Sequence, residues 1–330
     1  MTLTRREFAK AALAAVPAAI AGVGLAGLAA EPRPDSKFHG VQIGIIVSPY
    51  NFPSIPVPAD QFLGTLVDLG LSAVEIQDVR CEVYAGAPSA PRAGYSGSPG
   101  QHLSPEERAA MRRRQAEQLT EWRLGNKAAI LDKFKTLHRM YSDAGVKIYA
   151  FRLANTSMDM SDAEYDYFFE AARILGASQI TTELPADPAL SGRLGKLGEK
   201  HRVMVGYHNH TQVNAQSWDT ALAQSKWNGI QLDIGHFVAA ISGSPIPFIE
   251  EHHDRITSIH LKDRKYGTRG GANLPWGEGD TPVKEVLLLM RDRQYAFPAG
   301  IELEYKIPEG STPEKEIRRC VDFCRRVLNS

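Results

Sequence analysis

Four polar residues, Tyr207-His208-Asn209-His210, end an apolar run that begins at Val203. Such a run is typical of a buried strand, so the side chains at its end should meet others at one edge of a sheet. Imidazole groups at such an edge can bind a metal ion, carry a proton or hydrogen-bond a substrate. The cluster therefore predicts a concave chemical site whose other groups come from neighbouring strands.

Similar polar side chains end four further apolar runs. They are Glu183, Asp233 with His236, His260 with Lys262, and Glu302 with Glu304. Glu302 and Glu304 point to the same face, because side chains alternate along a strand. Carboxylates and imidazoles that converge in this way would repel one another or lack partners without a cation. One divalent metal ion with oxygen and nitrogen ligands removes both problems, and Mn²⁺, Mg²⁺, Co²⁺ or Zn²⁺ would suit the site.

The elements that would bring these groups together alternate along the chain. Eight apolar runs predict strands, at 41–47, 72–77, 146–153, 178–185, 202–210, 229–237, 256–263 and 299–306. Strands that alternate with helices form parallel sheets, and eight such units predict a single-domain TIM (β/α)8 barrel with its chemistry at the carboxyl ends of the strands. A doubly wound open sheet is the alternative. It is disfavoured because no glycine-rich phosphate turn follows an early strand.

Two segments before the third strand have a distinct composition. Residues 81–101 are rich in Gly, Pro, Ser and Ala, so we expect a long loop that acts as a lid or a partner contact. A long helix should begin after Ser104, with Pro105 in its first turn, and break near Gly125.

The first thirty residues differ from the rest of the chain. TRREFAK (4–10) precedes a weakly apolar region, rich in Ala and Gly, that ends near Ala30. This pattern is typical of a twin-arginine export signal over 1–30. A membrane anchor is disfavoured because Pro17 interrupts the run. We therefore expect a periplasmic barrel domain over 31–330 that folds before export and is free of the membrane after cleavage.

Charge and cysteine content argue against other classes of protein. Basic and acidic residues number 38 each, so the formal net charge is zero. Nucleic-acid-binding surfaces normally show a basic excess, and we expect no nucleic-acid partner. There are three cysteines, two of them one helical turn apart at Cys320 and Cys324. They fit neither a disulfide framework nor a zinc motif.

The carboxyl-terminal half resembles the xylose-isomerase-like barrels of the sugar phosphate isomerase/epimerase superfamily. The resemblance is carried by YHNH (207–210), LDIGH (232–236), IHLKD (259–263), WGEGD (276–280) and FPAGIELEY (297–305). Together with the alternation of predicted strands and helices, it covers about residues 38–328. Members bind one divalent metal ion through Glu, Asp, His and Glu from strands five to eight. The resemblance implies that Asp233, His260 and Glu302 are metal ligands.

This sequence departs from the family at the first ligand. Many members end strand five in Glu, where this chain has Tyr207 or His208. Either His208 binds the metal, or Glu183 reaches it from strand four. Glu183 is favoured because it restores the balance of two carboxylates. His208 and His210 would then contact the substrate or orient the metal ligands.

The resemblance further implies an enzyme that acts on a sugar or keto-sugar. Glu302, His208 or Glu304 would move the proton next to a carbonyl, and the metal would stabilise the enediolate. Isomerisation and epimerisation fit this site, as does a lyase or dehydratase reaction on a 3-keto-glycoside or cyclitol. The residues expected to contact the substrate are His210, His236, Lys262, Arg152 and Trp276.

Two functions from other classes are weaker alternatives. A nuclease of the endonuclease IV type shares this barrel, but it needs more metal ligands and a DNA-binding face. A non-catalytic, exported sugar-binding barrel would bind its ligand without exchanging a proton. Barrels of the family often pair, so a homodimer is an open expectation.

Overall fold

The computed structural model describes residues 33–46, 57–88 and 104–330, and Arg33–Ser330 form one compact unit. Eight strands form a barrel: β1 (Val41–Ile46), β2 (Ala73–Gln77), β3 (Lys147–Arg152), β4 (Gln179–Glu183), β5 (Met204–His208), β6 (Asn228–Asp233), β7 (Ile256–Leu261) and β8 (Ala299–Ile301). Neighbouring strands pair in parallel, and β1 pairs with both β2 and β8, which closes the ring. The predicted TIM (β/α)8 barrel is confirmed. The predicted export signal lies outside the described residues.

Eleven α-helices occur among the described residues. They are α1 (Ala59–Asp68), α2 (Asp78–Ala85), α3 (Pro105–Gly125), α4 (Lys127–Asp143), α5 (Asp162–Ile174), α6 (Pro188–His201), α7 (Asp219–Gln224), α8 (Ile234–Ile241), α9 (Ile246–His252), α10 (Val283–Asp292) and α11 (Pro313–Leu328). Within the described part of the chain, no helix combines the length and the apolar character that a membrane span requires.

The main apolar core lies between the outer face of the barrel and the helices. Ile43 and Ile45 of β1 point into it and are fully buried. Helix α4 contributes Ile130, Phe134 and Leu137, whose spacing of three to four residues forms one buried stripe. Burial of each such side chain stabilises the fold by about 1.5–3 kcal/mol.

The long helix begins and breaks where the sequence predicts. The Ser104 hydroxyl accepts a hydrogen bond from the Glu107 amide at 3.1 Å, and the Glu107 carboxylate accepts one from the Ser104 amide at 2.7 Å. This capping box satisfies amide groups that the first helical turn leaves without partners. Helix α3 ends at Gly125, and α4 starts two residues later at Lys127.

The segment predicted as a loop from residue 81 is helical at its start. Helix α2 covers Asp78–Ala85 and ends at Gly86, which adopts a left-handed φ of 94°. Cys81 and Glu82 are buried in this helix, so packing determines its structure rather than the composition of the segment that follows. Residues 89–103 of the predicted loop lie outside the described residues.

Strand β6 is shorter than predicted. It ends at Asp233, and His236 lies in the first turn of α8 rather than in the strand. The Asp233 carboxylate caps this helix by accepting a hydrogen bond from the His236 amide at 2.7 Å. The apolar run continues from the strand into α8 because both are buried. The periodicity of the sequence therefore does not mark the boundary between the strand and the helix.

The middle of the barrel interior holds polar groups and one tyrosine. A Cβ atom at Gly44 would lie 2.8 Å from Tyr149 Cε1, and one at Gly300 would lie 2.6 Å from Tyr149 Oη. These glycines therefore make room for the tyrosine ring. Glu75 and Thr181 are fully buried in the interior, whereas Val, Ile and Leu dominate most TIM barrels. Each buried polar group there needs a hydrogen-bond partner.

Gly44→Ala should destabilise the barrel, because its Cβ must displace the Tyr149 ring or the Ala73 carbonyl group, 3.0 Å away. Overpacking of this kind lowers the free energy of unfolding by about 1–3 kcal/mol, which urea unfolding can measure. Gly64→Ala in α1 is the matched control, since nothing lies within 4 Å of its Cβ. Equal stability of the two variants would contradict the packing of Tyr149.

Candidate active site at the barrel mouth

The carboxyl ends of the strands bring most of the predicted site residues to one mouth. Glu183 and His208 end β4 and β5 and lie in register, as do Asp233 and His260 on β6 and β7. The His208 ring lies 4.9 Å from the His260 ring and 5.1 Å from the His210 ring, centroid to centroid. The predicted convergence of imidazoles and carboxylates is therefore present.

His260 is held between two carboxylates. Its Nε2 lies 2.8 Å from Glu75 Oε2, and its Nδ1 lies 3.0 Å from Glu302 Oε2. Burial alone would lower the pKa of His260, but the charges of Glu75 and Glu302 and hydrogen bonds to both raise it to about 10. At neutral pH the ring is therefore an imidazolium that donates one hydrogen bond to each carboxylate.

Glu75 belongs to this network, although it was not among the predicted site residues. It is fully buried and also accepts hydrogen bonds from Thr181 Oγ1 at 2.6 Å and Gln231 Nε2 at 2.7 Å. Burial alone would raise the pKa of Glu75, but the charge of His260 and its hydrogen bond lower it. The sequence feature that could have identified Glu75 is its position as a single carboxylate inside the apolar run of β2.

Lys262 supplies a cation inside the mouth. Its Nζ lies 2.8 Å from Asp233 Oδ2, 2.8 Å from Glu304 Oε2 and 3.2 Å from Glu302 Oε2. Burial alone would lower the pKa of Lys262, but these three carboxylates raise it. The convergent carboxylates alone predict an external cation. Lys262 and His260 already neutralise part of their charge, so repulsion among the carboxylates does not by itself require one.

His208 is buried, and its Nδ1 has no hydrogen-bond partner among the described residues. Burial lowers the pKa of His208 well below its usual value, and the nearby charges of Arg152, His260 and Lys262 lower it further. The ring is therefore neutral at physiological pH and has a nitrogen free to bind an electrophile.

The donor groups in the mouth fit a divalent metal ion. His208, Asp233 and His260 each offer a ligand atom within 4.8 Å of the others, as do His208, His210 and His236. Asp233 Oδ2 lies 2.8 Å from Lys262 Nζ, so a metal ion bound to this oxygen would compete with the ammonium group. Three protein donors of nitrogen and oxygen type are common in catalytic metal sites that keep an open position.

The charge balance of the mouth also leaves room for a cation. Four acidic side chains, Glu75, Asp233, Glu302 and Glu304, contact two cationic ones, His260 and Lys262. A divalent ion would neutralise the remaining negative charge, which is costly to bury.

Glu183 belongs to neither donor group, although it contacts His210 of the second one. Its carboxylate pairs with the Arg152 guanidinium and lies 3.4 Å from His210 Nε2, and the side chain is 48% exposed. Burial of the carboxyl group alone would raise the pKa of Glu183, but His210 and Arg152 lower it. Its assignment as the first metal ligand stays a prediction that these contacts do not favour.

Two stacked imidazoles form the outer part of the mouth. The His210 and His236 rings lie 4.7 Å apart with an interplanar angle of 19°. His236 Nε2 is 2.9 Å from Lys262 Nζ and 3.4 Å from Glu304 Oε2, and its Nδ1 contacts the Arg264 guanidinium. The His210 side chain is 50% exposed, so an incoming substrate meets it before the buried groups.

Trp276 lies on a loop that Asp263 anchors. The Asp263 carboxylate accepts hydrogen bonds from the amides of Gly277 at 2.8 Å, Gly279 at 2.9 Å and Thr281 at 3.2 Å. The Trp276 ring packs edge-on against Phe323 of α11, with the centroids 5.8 Å apart. The packing against Phe323 shows that Trp276 anchors its loop to α11. The stacking of Trp276 on a sugar ring stays a prediction.

Comparisons with known proteins agree with the fold and with the resemblance of the carboxyl-terminal part. A family model described as a xylose isomerase-like TIM barrel matches residues 189–327, which include all five stretches that carry the resemblance. No curated protein matches the sequence.

Solved structures share the barrel at low sequence identity. A sugar phosphate isomerase/epimerase from Parabacteroides distasonis is 16% identical, with a TM-score of 0.55 over 88% of this chain and 96% of that one. The probable 3-DHS dehydratase AsbF from Bacillus anthracis is 12% identical, with a TM-score of 0.55 over 86% and 98%. The IolI protein, solved with a zinc atom, is 14% identical, with a TM-score of 0.58 over 88% and 98%. At these identities the likeness shows the fold alone.

Glu75→Gln should lower the pKa of His260 from its value of about 10, because the variant removes one of the two charges that hold the imidazolium. A ¹⁵N NMR titration of the histidine rings measures this pKa. Glu304→Gln is the matched control, since Glu304 contacts Lys262 and His236 but not His260. An unchanged titration of His260 in Glu75→Gln would refute the role of this carboxylate.

Proposed function

We propose that the protein is a divalent-metal-dependent enzyme that moves a proton next to the carbonyl group of a sugar or keto-sugar. The observation that carries the proposal is the neutral His208. Its Nδ1 has no hydrogen-bond partner among the described residues, and its ring offers a ligand atom within 4.8 Å of those of Asp233 and His260. Isomerisation or epimerisation is the reaction class that the match to the xylose isomerase-like family model favours.

His208, Asp233 and His260 are the residues that would hold the ion. Binding at His260 Nδ1 would require the ring to lose the proton that it shares with Glu302, while Nε2 would keep its hydrogen bond to Glu75. Carboxylate partners of this kind orient histidine ligands in many metal sites. A bound divalent ion supplies a Lewis acid that polarises the carbonyl oxygen of the substrate.

Glu304 is the group best placed to carry the proton. Its side chain is 16% exposed against 7% for Glu302, so it faces the opening of the mouth. Burial alone would raise the pKa of Glu304, but His236 and Lys262 lower it, so the carboxylate is ionised when the substrate arrives. The Lys262 ammonium, 2.8 Å away, would hold the carboxylate in place.

The outer residues suit a polyhydroxylated substrate. His210 and Arg152 present nitrogen donors at the rim, and Glu183 presents acceptor oxygens beside them. These groups can hydrogen-bond neutral hydroxyl groups in pairs. We saw no phosphate-cradling loop in the sequence, and export to the periplasm, if it occurs, would also favour a free sugar or keto-glycoside.

Proton exchange in D₂O tests the proposal without knowledge of the product. The protein, first chelated and then supplied with Mn²⁺, Co²⁺ or Zn²⁺, is incubated with free ketohexoses and 3-keto-glucosides. Proton NMR should show metal-dependent loss of the signal next to the carbonyl group. Glu304→Gln should reduce this rate at least about 100-fold, whereas Glu309→Gln, an exposed glutamate on the loop after the site, should not.

The outcomes of the exchange experiment separate three functions. Exchange with a rearranged sugar supports an isomerase or epimerase, and exchange with loss of a leaving group supports a lyase or dehydratase. Saturable binding without any exchange would favour a sugar-binding protein. Exchange that survives chelation would refute the metal-dependent mechanism.

A further inference from the structure

A cavity of about 770 Å³ opens at the amino-terminal face of the barrel. First residues of the strands line it, including Lys147, Gln179, Met204 and Ile256, so it lies at the opposite end of the barrel from His208. Its volume falls within the range of sites for small ligands, about 300–1,000 Å³. The proposed function uses none of its residues.

The wall of this basal cavity contains polar groups that lack partners. Tyr149 Oη and Gln179 Oε1 make no hydrogen bond among the described residues, although the two residues are only 2% and 1% exposed. Arg255 Nε is also buried without a partner, although the same guanidinium donates to three backbone carbonyls. Each unsatisfied buried polar group costs about 1–3 kcal/mol. These atoms have almost no exposed surface, so a ligand in the cavity would contact other groups of its wall.

The charge at the opening of the basal cavity is positive. Among the described residues that line the cavity, three are cationic, Lys37, Lys147 and Arg255, and one is a carboxylate, Asp254. Neither lysine forms an ion pair within the described part of the chain. The whole protein has no net charge, so this end of the barrel concentrates positive potential, which attracts anions.

Aromatic rings form one side of the basal cavity. Tyr295 and Phe297 line it and lie nearly parallel, with centroids 5.3 Å apart and an interplanar angle of 28°. His39 stands at the rim in a left-handed conformation, with φ of 43°. Such a turn position favours Gly or Asn, so the imidazole is kept there at a conformational cost.

We propose that the basal cavity is a second binding site, for a small aromatic compound that carries one anionic group such as a carboxylate or sulfonate. The ring packs against Tyr295 and Phe297, and Lys37 and Lys147 bind the anionic oxygens. The site is independent of the barrel mouth and of the metal.

The experiment uses 8-anilinonaphthalene-1-sulfonate, an aromatic sulfonate whose fluorescence rises on binding. Saturable binding to the wild-type protein should weaken at least about tenfold in the double variant Lys37→Glu/Lys147→Glu. Both lysines are exposed, so the fold should be kept, and the thermal unfolding midpoint checks it. Lys284→Glu/Lys315→Glu, which makes the same charge change on exposed positions of α10 and α11, should bind as the wild type does.

Hydrogen exchange locates the bound dye. Backbone amides of residues 37–42 and 294–298 should exchange more slowly with the dye, whereas those of 207–210 at the mouth should not change. Equal affinity of the two double variants would overturn the proposal, as would the absence of saturable binding or protection confined to 207–210.

Discussion

The structure depends on the compensation of charges inside the barrel. His260 lies between Glu75 and Glu302 with no exposure to solvent. An unpaired charge at such depth would cost several kcal/mol, and removal of one partner from a buried pair typically costs about 3–5 kcal/mol. Thr181 and Gln231 satisfy the remaining lone pairs of Glu75. The interior is therefore built from hydrogen-bonded polar groups, and its apolar core lies outside the strands.

At the mouth, the charged residues hold the acidic side chains in place, and the neutral His208 is left to bind a ligand. The charged pairs of His260 and Lys262 fix the positions of four acidic side chains before any ligand binds, which reduces the reorganisation that catalysis requires. His208 is excluded from these pairs and stays neutral, so it can donate a lone pair. The polar groups of the interior end at Tyr149. The ring of Tyr149 separates the mouth from the cavity at the opposite face of the barrel.

The sequence predicted the barrel and the convergence of its polar strand ends, because strand and helix periodicity and the alternation of side chains are local properties. Helix α2 was missed because its second half was assigned to the loop of Gly, Pro, Ser and Ala that follows it. The early end of β6 was missed because the strand and α8 are both buried, so the apolar run has no period that distinguishes helix from strand. The partners of Glu75 could not be predicted. They depend on contacts across the barrel, for instance between Glu75 and His260, which lie 185 residues apart in the chain.

Metal content measured by mass spectrometry tests the central claim most directly, with the wild-type protein beside His208→Gln, His260→Gln and Glu183→Gln. The account predicts about one divalent ion per wild-type chain. It predicts loss of the ion in both histidine variants and retention in Glu183→Gln, because Glu183 is engaged by Arg152. A wild-type protein that takes up no Mn²⁺, Co²⁺ or Zn²⁺ would contradict the account, and so would loss of the ion in Glu183→Gln but not in His208→Gln.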